Sequence, residues 1–357
     1  MKGPMGRTLA PRKLPRERRR RSLTAEVLPR LTAPGTHLTR EEELVLEMVE
    51  SSLRLLRDGT PLGDVKLLNS ALRELRYAFK VFAPFRHVHK VSVFGSARTA
   101  PTAPAYKAAT AFSQRMADAD YMLITGAGNG IMRACNEGAG RERSFGVNIR
   151  LPFEQAPNEF IRDDAKLVTL RYFFTRKLIF IKEAHGVALF PGGFGTHDEA
   201  YEALTLVQTG KTRPMPIVFL DAPRGTYWKT WKRYVEEHLL RHHLISEEDL
   251  GLFLVTSDVD QAVAEITGFY RVYHSSRYVG PRFVIRLRHQ LPAALVAGLA
   301  HDFKDLVLTG TIEQGLALPE EREQEPELNG LFRLVLELDR AKAGRLRQLI
   351  DRVNRDG

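Results

Sequence analysis

A single cysteine in 357 residues rules out an intrachain disulfide and any thiolate metal cluster. That residue, Cys135, lies in the helical pattern IMRACNEGA and reads as a small packed side chain rather than a nucleophile. No apolar run approaches the roughly 20 residues that span a bilayer, so no membrane partner is expected. No internal repeat of the solenoid kind is present. Aromatic residues are only 9% of the chain, and none is interleaved in its most basic stretch. What is there is an ordinary globular balance, 43% hydrophobic and 27% charged. The length suits one large α/β domain with additions, or two modest domains.

The formal net charge of +10 is unevenly placed. Residues 1–22 are dense in Arg, Lys and Pro and end in the run Arg18 to Arg21. They have no hydrophobic centre, which argues against a secretory leader and for a cytoplasmic chain. The segment reads as a solvated tail. Without aromatics to stack on bases, its contact with nucleic acid or another anionic partner would be weak and salt-sensitive.

Four stretches follow from the patterning: 1–38 as basic tail, 39–87 as a helical segment, 88–272 as the main α/β domain, and 273–357 as a small α+β appendage. Glu41 to Arg57 sets Leu44, Val45, Met48, Leu53 and Leu56 near one helix face, with Thr39 as its cap. A second helix runs from Val65 to Phe82 and stops at Pro84. From residue 89 short apolar strands alternate with helices. The strands are Val91–Phe94, Tyr121–Thr125, Phe145–Ile149, Leu167–Leu170, Val187–Phe190, Ile217–Leu220 and Leu252–Val255. A helix is expected over Thr226–Leu240. This rhythm predicts a Rossmann-like, doubly wound parallel sheet covered on both faces, with all strand ends meeting at one ligand-binding edge. Beyond residue 275, Phe283–Arg288 and Leu331–Asp339 read as strands, with helices at LPAALVAGLAHDF and AGRLRQLIDRV.

Glycine-rich turns follow three of the strands. Gly95 and Ser96 open the first. Gly126, Gly128, Asn129 and Gly130 form the second, which departs from a dinucleotide fingerprint because its third glycine comes one residue early. Asn148 and Arg150 stand where a ribose-binding acid would be needed, arguing against an NAD site. The third is Pro191-Gly192-Gly193-Phe194-Gly195-Thr196, before a helix expected to start at His197. Backbone N–H groups there suit a phosphate, with the Thr196 hydroxyl as a further donor. Phosphate binding alone does not call for a carboxylate behind the cradle, so Glu199 reads as a reagent, with His197 and Asp198 as alternatives. Upstream, Arg176 and Lys177 sit side by side and point about 100° apart on a helix, so that one can face the sheet edge. Pyridoxal chemistry lacks its residue set, and no Gly-Lys-Ser/Thr of a kinase-type loop is present.

The motif Pro191 to Glu199, with Arg176-Lys177 and the Gly126–Met132 loop, resembles the signature P-G-G-x-G-T-x-x-E of the LOG ("lonely guy") family, often mislabelled lysine decarboxylase. The resemblance covers roughly residues 88–270. It implies a phosphoribohydrolase without cofactor. Such an enzyme cleaves the N-glycosidic bond of a nucleoside 5′-monophosphate, of the AMP or cytokinin riboside type, into base and ribose 5-phosphate. It also implies catalytic roles for Arg176 and Glu199, a place for Gln208 near the site, and a homodimer or higher homo-oligomer that residues 40–85 could extend. Two departures stand out. His197 occupies a position where the family often has leucine, and the first loop, Gly-Ser-Ala-Arg, differs from that of the short plant enzymes. The flanking segments look more like those of long bacterial nucleotide nucleosidases. Met132, Phe153, Phe173 and Phe194 are candidates for the base pocket, though each also suits a core. Two other readings remain: a non-catalytic nucleotide- or cofactor-binding protein with a nucleic-acid contact through its tail, and an enzyme regulated by a nucleotide sensed in the flanks.

Overall fold

The computed structural model describes residues 27, 29–33, 35, 37–151 and 156–357; the basic segment 1–22 and Phe153 lie outside them. The chain divides into two compact units, Met1–Ser70 and Ala71–Gly357.

In the first unit, helix α1 (Arg40–Arg57) starts at a reciprocal cap. The Thr39 hydroxyl accepts the Glu42 N–H, and the Glu42 carboxylate accepts the Thr39 N–H at 3.0 Å. Glutamates crowd its first turn, and Arg54 and Arg57 its last, each complementing the helix dipole. Helix α2 (Leu62–Phe82) begins in this unit, three residues before the apolar periodicity does, and ends in the second.

The second unit is built on seven parallel strands: β1 (Lys90–Phe94), β2 (Met122–Thr125), β3 (Ser144–Ile149), β4 (Leu167–Leu170), β5 (Gly186–Leu189), β6 (Ile217–Leu220) and β7 (Phe253–Thr256). Each predicted strand of this region is present, with its ends moved by about one residue. The inner strands β1, β2, β5 and β6 bury both faces because helices cover both. One face carries Ile124, Phe145, Leu189 and Phe219 against Phe180 and Trp228. The other carries Val93, Leu123 and Val218 against Phe112 and Cys135, the fully buried thiol. The helices are α3 (Pro104–Asp118), α4 (Ile131–Ala139), α5 (Phe173–Glu183), α6 (Phe194–Gln208), α7 (Tyr227–Tyr234) and α8 (Val259–Gly268). The predicted helix Thr226–Leu240 is not uniform. After α7 it widens into a π-type turn over Val235–Leu240.

Strand order is β4-β3-β2-β1-β5-β6-β7. The chain therefore builds outward from β1 to β4, then returns to the other side of β1 to build β5 to β7. The reversal leaves a crevice outside the carboxyl ends of β1 and β5, the place where open α/β sheets hold ligands.

The C-terminal region adds an antiparallel sheet, β8 (Tyr273–Val279), β9 (Arg282–Leu287), β10 (Glu313–Gly315) and β11 (Phe332–Leu336), ordered β10-β11-β9-β8. Helices α9 (Ala293–Asp302) and α11 (Ala343–Asp356) accompany it, with the short α10 (Pro319–Arg322) between β10 and β11. β8 and β10 were not predicted. The sequence YHSSRYV of β8 is polar, and it becomes a strand by pairing along β9 through a turn at Gly280. Inside this region Glu321, 1% exposed, accepts Arg286 Nη2 at 2.7 Å and Arg333 Nε at 3.3 Å. Removing the carboxylate would leave buried Arg333 without a carboxylate partner and Arg286 with Glu325 alone. We expect Glu321→Ala to destabilise the protein by about 3–5 kcal/mol, measurable by denaturant unfolding; a loss below about 1 kcal/mol, the size of an exposed pair, would show the network to be dispensable.

Candidate active site

Helix α6 begins at Phe194 rather than at His197, so the glycine turn is itself the first turn of the helix. Its N-cap, Gly193, offers no side chain to the free N–H groups. The N–H groups of Thr196 and His197 donate to the Gly193 carbonyl at 3.0 and 3.2 Å. Those of Phe194 and Gly195 have no carbonyl one turn back to reach. Free backbone N–H groups and the helix dipole together suit an anion here without any side chain. The Thr196 N–H is already used, and its side chain packs on Gly192.

The turn opens into a cleft of about 830 Å³ at the switch point. Gly95, Ser96, Ala97 and Arg98 line it from the end of β1, and Gly126 and Met132 from the end of β2. Phe173 and Arg176 enter from α5, Gly192 to Glu199 from α6 and its turn, and Tyr227 from the start of α7. The first and third loops are tied together, because the Ser96 N–H donates to the Pro191 carbonyl at 3.1 Å.

The second loop serves chiefly as support. Gly128, Asn129 and Gly130 do not line the cleft. Gly130, with φ of 62°, packs against the Ser96 carbonyl, and a Cβ there would overlap it. The Gly128 carbonyl accepts Asn158 Nδ2 at 3.0 Å, and Asn129 is exposed. Gly126 does touch the chemistry. A Cβ on it would overlap the Arg176 guanidinium and the Met132 sulfur, so its missing side chain is the space Arg176 occupies.

Helix α5 is pinned at its start by Glu74, whose carboxylate accepts the Arg171 N–H at 2.9 Å and the Thr175 hydroxyl at 2.8 Å. The two basic residues then part. Arg176 faces the cleft, donating through Nε to the Val147 carbonyl at 3.0 Å, with its guanidinium 5.1 Å from the centre of the Phe180 ring. Burial lowers its pKa, and Glu199 opposes that shift. Lys177 turns to α6 instead of the cleft, reaching Glu202 at 2.6 Å, Asp198 at 3.0 Å and Glu199 at 3.9 Å. Burial works against its charge, but hydrogen bonds to Glu202 and Asp198 carry its pKa upward overall.

Glu199 is 6% exposed, and its Oε2 has no hydrogen-bond partner. Burial pushes its pKa up to about 7, against the pull of Lys177 and Arg176; Glu202 and Asp198 add to the rise. The other two candidate reagents are engaged elsewhere. His197 meets the Tyr227 hydroxyl at 2.6 Å, and Asp198 is exposed beside Lys177. Gln208 ends α6, about 13 Å of helical rise beyond Glu199, where it donates to Asp249 at 2.7 Å and takes no part in the cleft. Of the base-pocket candidates, Met132 and Phe173 line the wall, while Phe194 stands on the rim, 97% exposed. Sequence reasoning missed Tyr227 and left Arg98 without a role. The signal for Tyr227 was that β6 also ends on this edge, so the loop after it had to be counted.

The fold is a Rossmann-like α/β protein whose candidate site sets an uncapped helix start before a buried carboxylate. Residues 131–266 match the family model described as "possible lysine decarboxylase", the model of the LOG family. Among solved structures, the chain is similar to the structural-genomics target TM1055, at 22% identity over 50% of this chain and 98% of that one, with a TM-score of 0.37. It is also similar to the molybdenum cofactor carrier protein of Chlamydomonas reinhardtii, at 21% identity, 50% and 96% coverage, and a TM-score of 0.36. DNA processing protein A of Helicobacter pylori shows 11% identity, 50% and 80% coverage, and a TM-score of 0.36. No curated protein matches the chain. Among the described residues, no helix is long and apolar enough to cross a membrane.

The raised pKa of Glu199 has a stability consequence. The folded chain holds this proton more tightly than the unfolded chain, whose value is near 4.5, so stability falls as pH rises from there to about 7. Glu199→Gln removes that loss. Its melting temperature should exceed the wild type's at pH 8, by an amount worth roughly 3 kcal/mol, and the advantage should vanish near pH 4.5. Melting curves at both pH values give the comparison, and a pH-independent difference would contradict it.

Proposed function

We propose that the cleft hydrolyses the N-glycosidic bond of a nucleoside 5′-monophosphate, releasing the base and ribose 5-phosphate. One observation carries the reading: Glu199, whose backbone lies about 6–7.5 Å of helical rise past Gly195 and Phe194 with their uncapped N–H groups, has a buried carboxylate oxygen without a hydrogen bond. In this reading the phosphate sits on the helix start and C1′ beside the acid, one ribose ring apart.

Cleaving the bond builds positive charge on C1′ and the ring oxygen. An ionised Glu199 stabilises that charge and takes the proton of the attacking water, whose oxygen bonds to C1′ as the C1′–N bond breaks. The departing base keeps the bonding electron pair and takes up a proton. Arg176 favours the ionised acid and offers its guanidinium to a ribose or phosphate oxygen. Phosphate held on α6 fixes the sugar for attack, so a nucleoside without phosphate loses that positioning. The engagement of Lys177 with three carboxylates supports hydrolysis over amine chemistry at this site. Phe194, 97% exposed on the cleft's rim, with Phe173 and Leu178, 54% and 47% exposed on α5, supports a homo-oligomer that covers this edge.

Incubation with AMP, N6-substituted and pyrimidine monophosphates, and the corresponding nucleosides, with chromatography of free base, tests the reading. Base release is expected from monophosphates, with nucleosides slower by at least about 10²-fold. Glu199→Ala should lower kcat by roughly 10²–10⁴-fold while AMP still binds. The wild-type kcat/KM should rise with pH through about 7 as Glu199 ionises. Failure to release base from any monophosphate would exclude the proposal.

A further inference from the structure

Tyr227 and His197 form a strap over the glycine turn. The Tyr227 hydroxyl donates to the Gly192 carbonyl at 2.5 Å. Its one proton being committed, the same oxygen must accept from His197 Nε2 at 2.6 Å, so the imidazole carries hydrogen on Nε2. The ring is lodged between Tyr227 and Trp228, with centroids 5.8 and 5.4 Å away. The loop bearing Tyr227 is fixed in turn: buried Asp221, just past β6, accepts the Trp228 N–H at 2.9 Å.

A trans peptide is planar, with its carbonyl and N–H pointing opposite ways. Gly192 and Gly193 flank one such peptide, and glycine on both sides lets it turn over at little steric cost. The strap stops that rotation by holding the Gly192 carbonyl, and thereby sets the direction of the Gly193 N–H. A carbonyl that accepts a strong hydrogen bond also polarises its own N–H, making it a better donor. No carbonyl among the described residues accepts the Gly193 N–H, and the space where a Gly193 Cβ would lie is open.

We propose that Tyr227, held by His197, is the positioning residue of the phosphomonoester subsite, fixing the Gly193 N–H as a third backbone donor beside those of Phe194 and Gly195. The proposal rests on the reading of this cleft as a nucleoside monophosphate site. It also gives a duty to His197, whose imidazole holds the Tyr227 hydroxyl in place.

Calorimetric titration of the full chain with inorganic phosphate and ribose 5-phosphate tests it apart from turnover. Tyr227→Phe and His197→Leu should each weaken phosphate binding by about tenfold. In assays with AMP they should raise KM similarly and leave kcat within about twofold. His197→Gln, whose amide can donate to the Tyr227 oxygen, should restore most of the affinity. Unchanged phosphate affinity in both Tyr227→Phe and His197→Leu, or a loss in kcat alone, overturns the assignment. If the wild type hydrolyses AMP while these variants match it, only the strap's role is lost. If the wild type neither binds phosphate nor releases base, the reading of the cleft falls with it.

Discussion

A carboxylate buried within the first turns of a helix whose start is left uncapped is the constraint on which the site depends. Glu199 is desolvated beside Lys177 and Arg176, while Asp198 and Glu202 add negative charge around it. Burial raises its pKa most, Lys177 and Arg176 pull it down, and the two neighbouring carboxylates push it up. Lys177 spends its hydrogen bonds on the two outer carboxylates, and so leaves an oxygen of the inner one unpartnered. A buried polar atom without a partner is unfavourable in a resting protein. It is tolerable where a bound molecule is meant to complete it.

The surrounding fold keeps that arrangement in place. Glu74 of α2 fixes the start of α5, and with it the angle at which Arg176 enters. The Ser96–Pro191 bond joins the loops on either side of the switch point. The loop after β2 stands behind both. Its Gly130 lets the chain close on Ser96, and its Gly126 yields the volume that the guanidinium fills. Glycines that look alike in sequence therefore do different work. Those at 193 and 195 leave open space beside the backbone, whereas those at 126 and 130 make room for protein.

Legibility varied along the chain for physical reasons. The parallel strands were readable because burial on both faces demands short, uniformly apolar runs such as Val218 to Leu220. The strand β8 was hidden because its polar residues become a strand only through pairing with β9. The start of α6 was misplaced by three residues because glycine and phenylalanine carry no capping side chain to mark it. Gln208 was put near the site by analogy, yet nine residues of helix carry it away from Glu199 to Asp249.

The order of residues alone determined the sheet, its ligand-binding edge, and the nearness of an acid to a glycine turn, since periodicity and local spacing fix these. It also determined that Arg176 and Lys177 would diverge, because a helix turns them about 100° apart. Only the tertiary structure decided which of them meets the cleft, which of His197, Asp198 and Glu199 is the buried acid, and that Tyr227 reaches back to Gly192. Those outcomes depend on desolvation and on contacts between segments far apart in the chain, and neither is written in any local pattern.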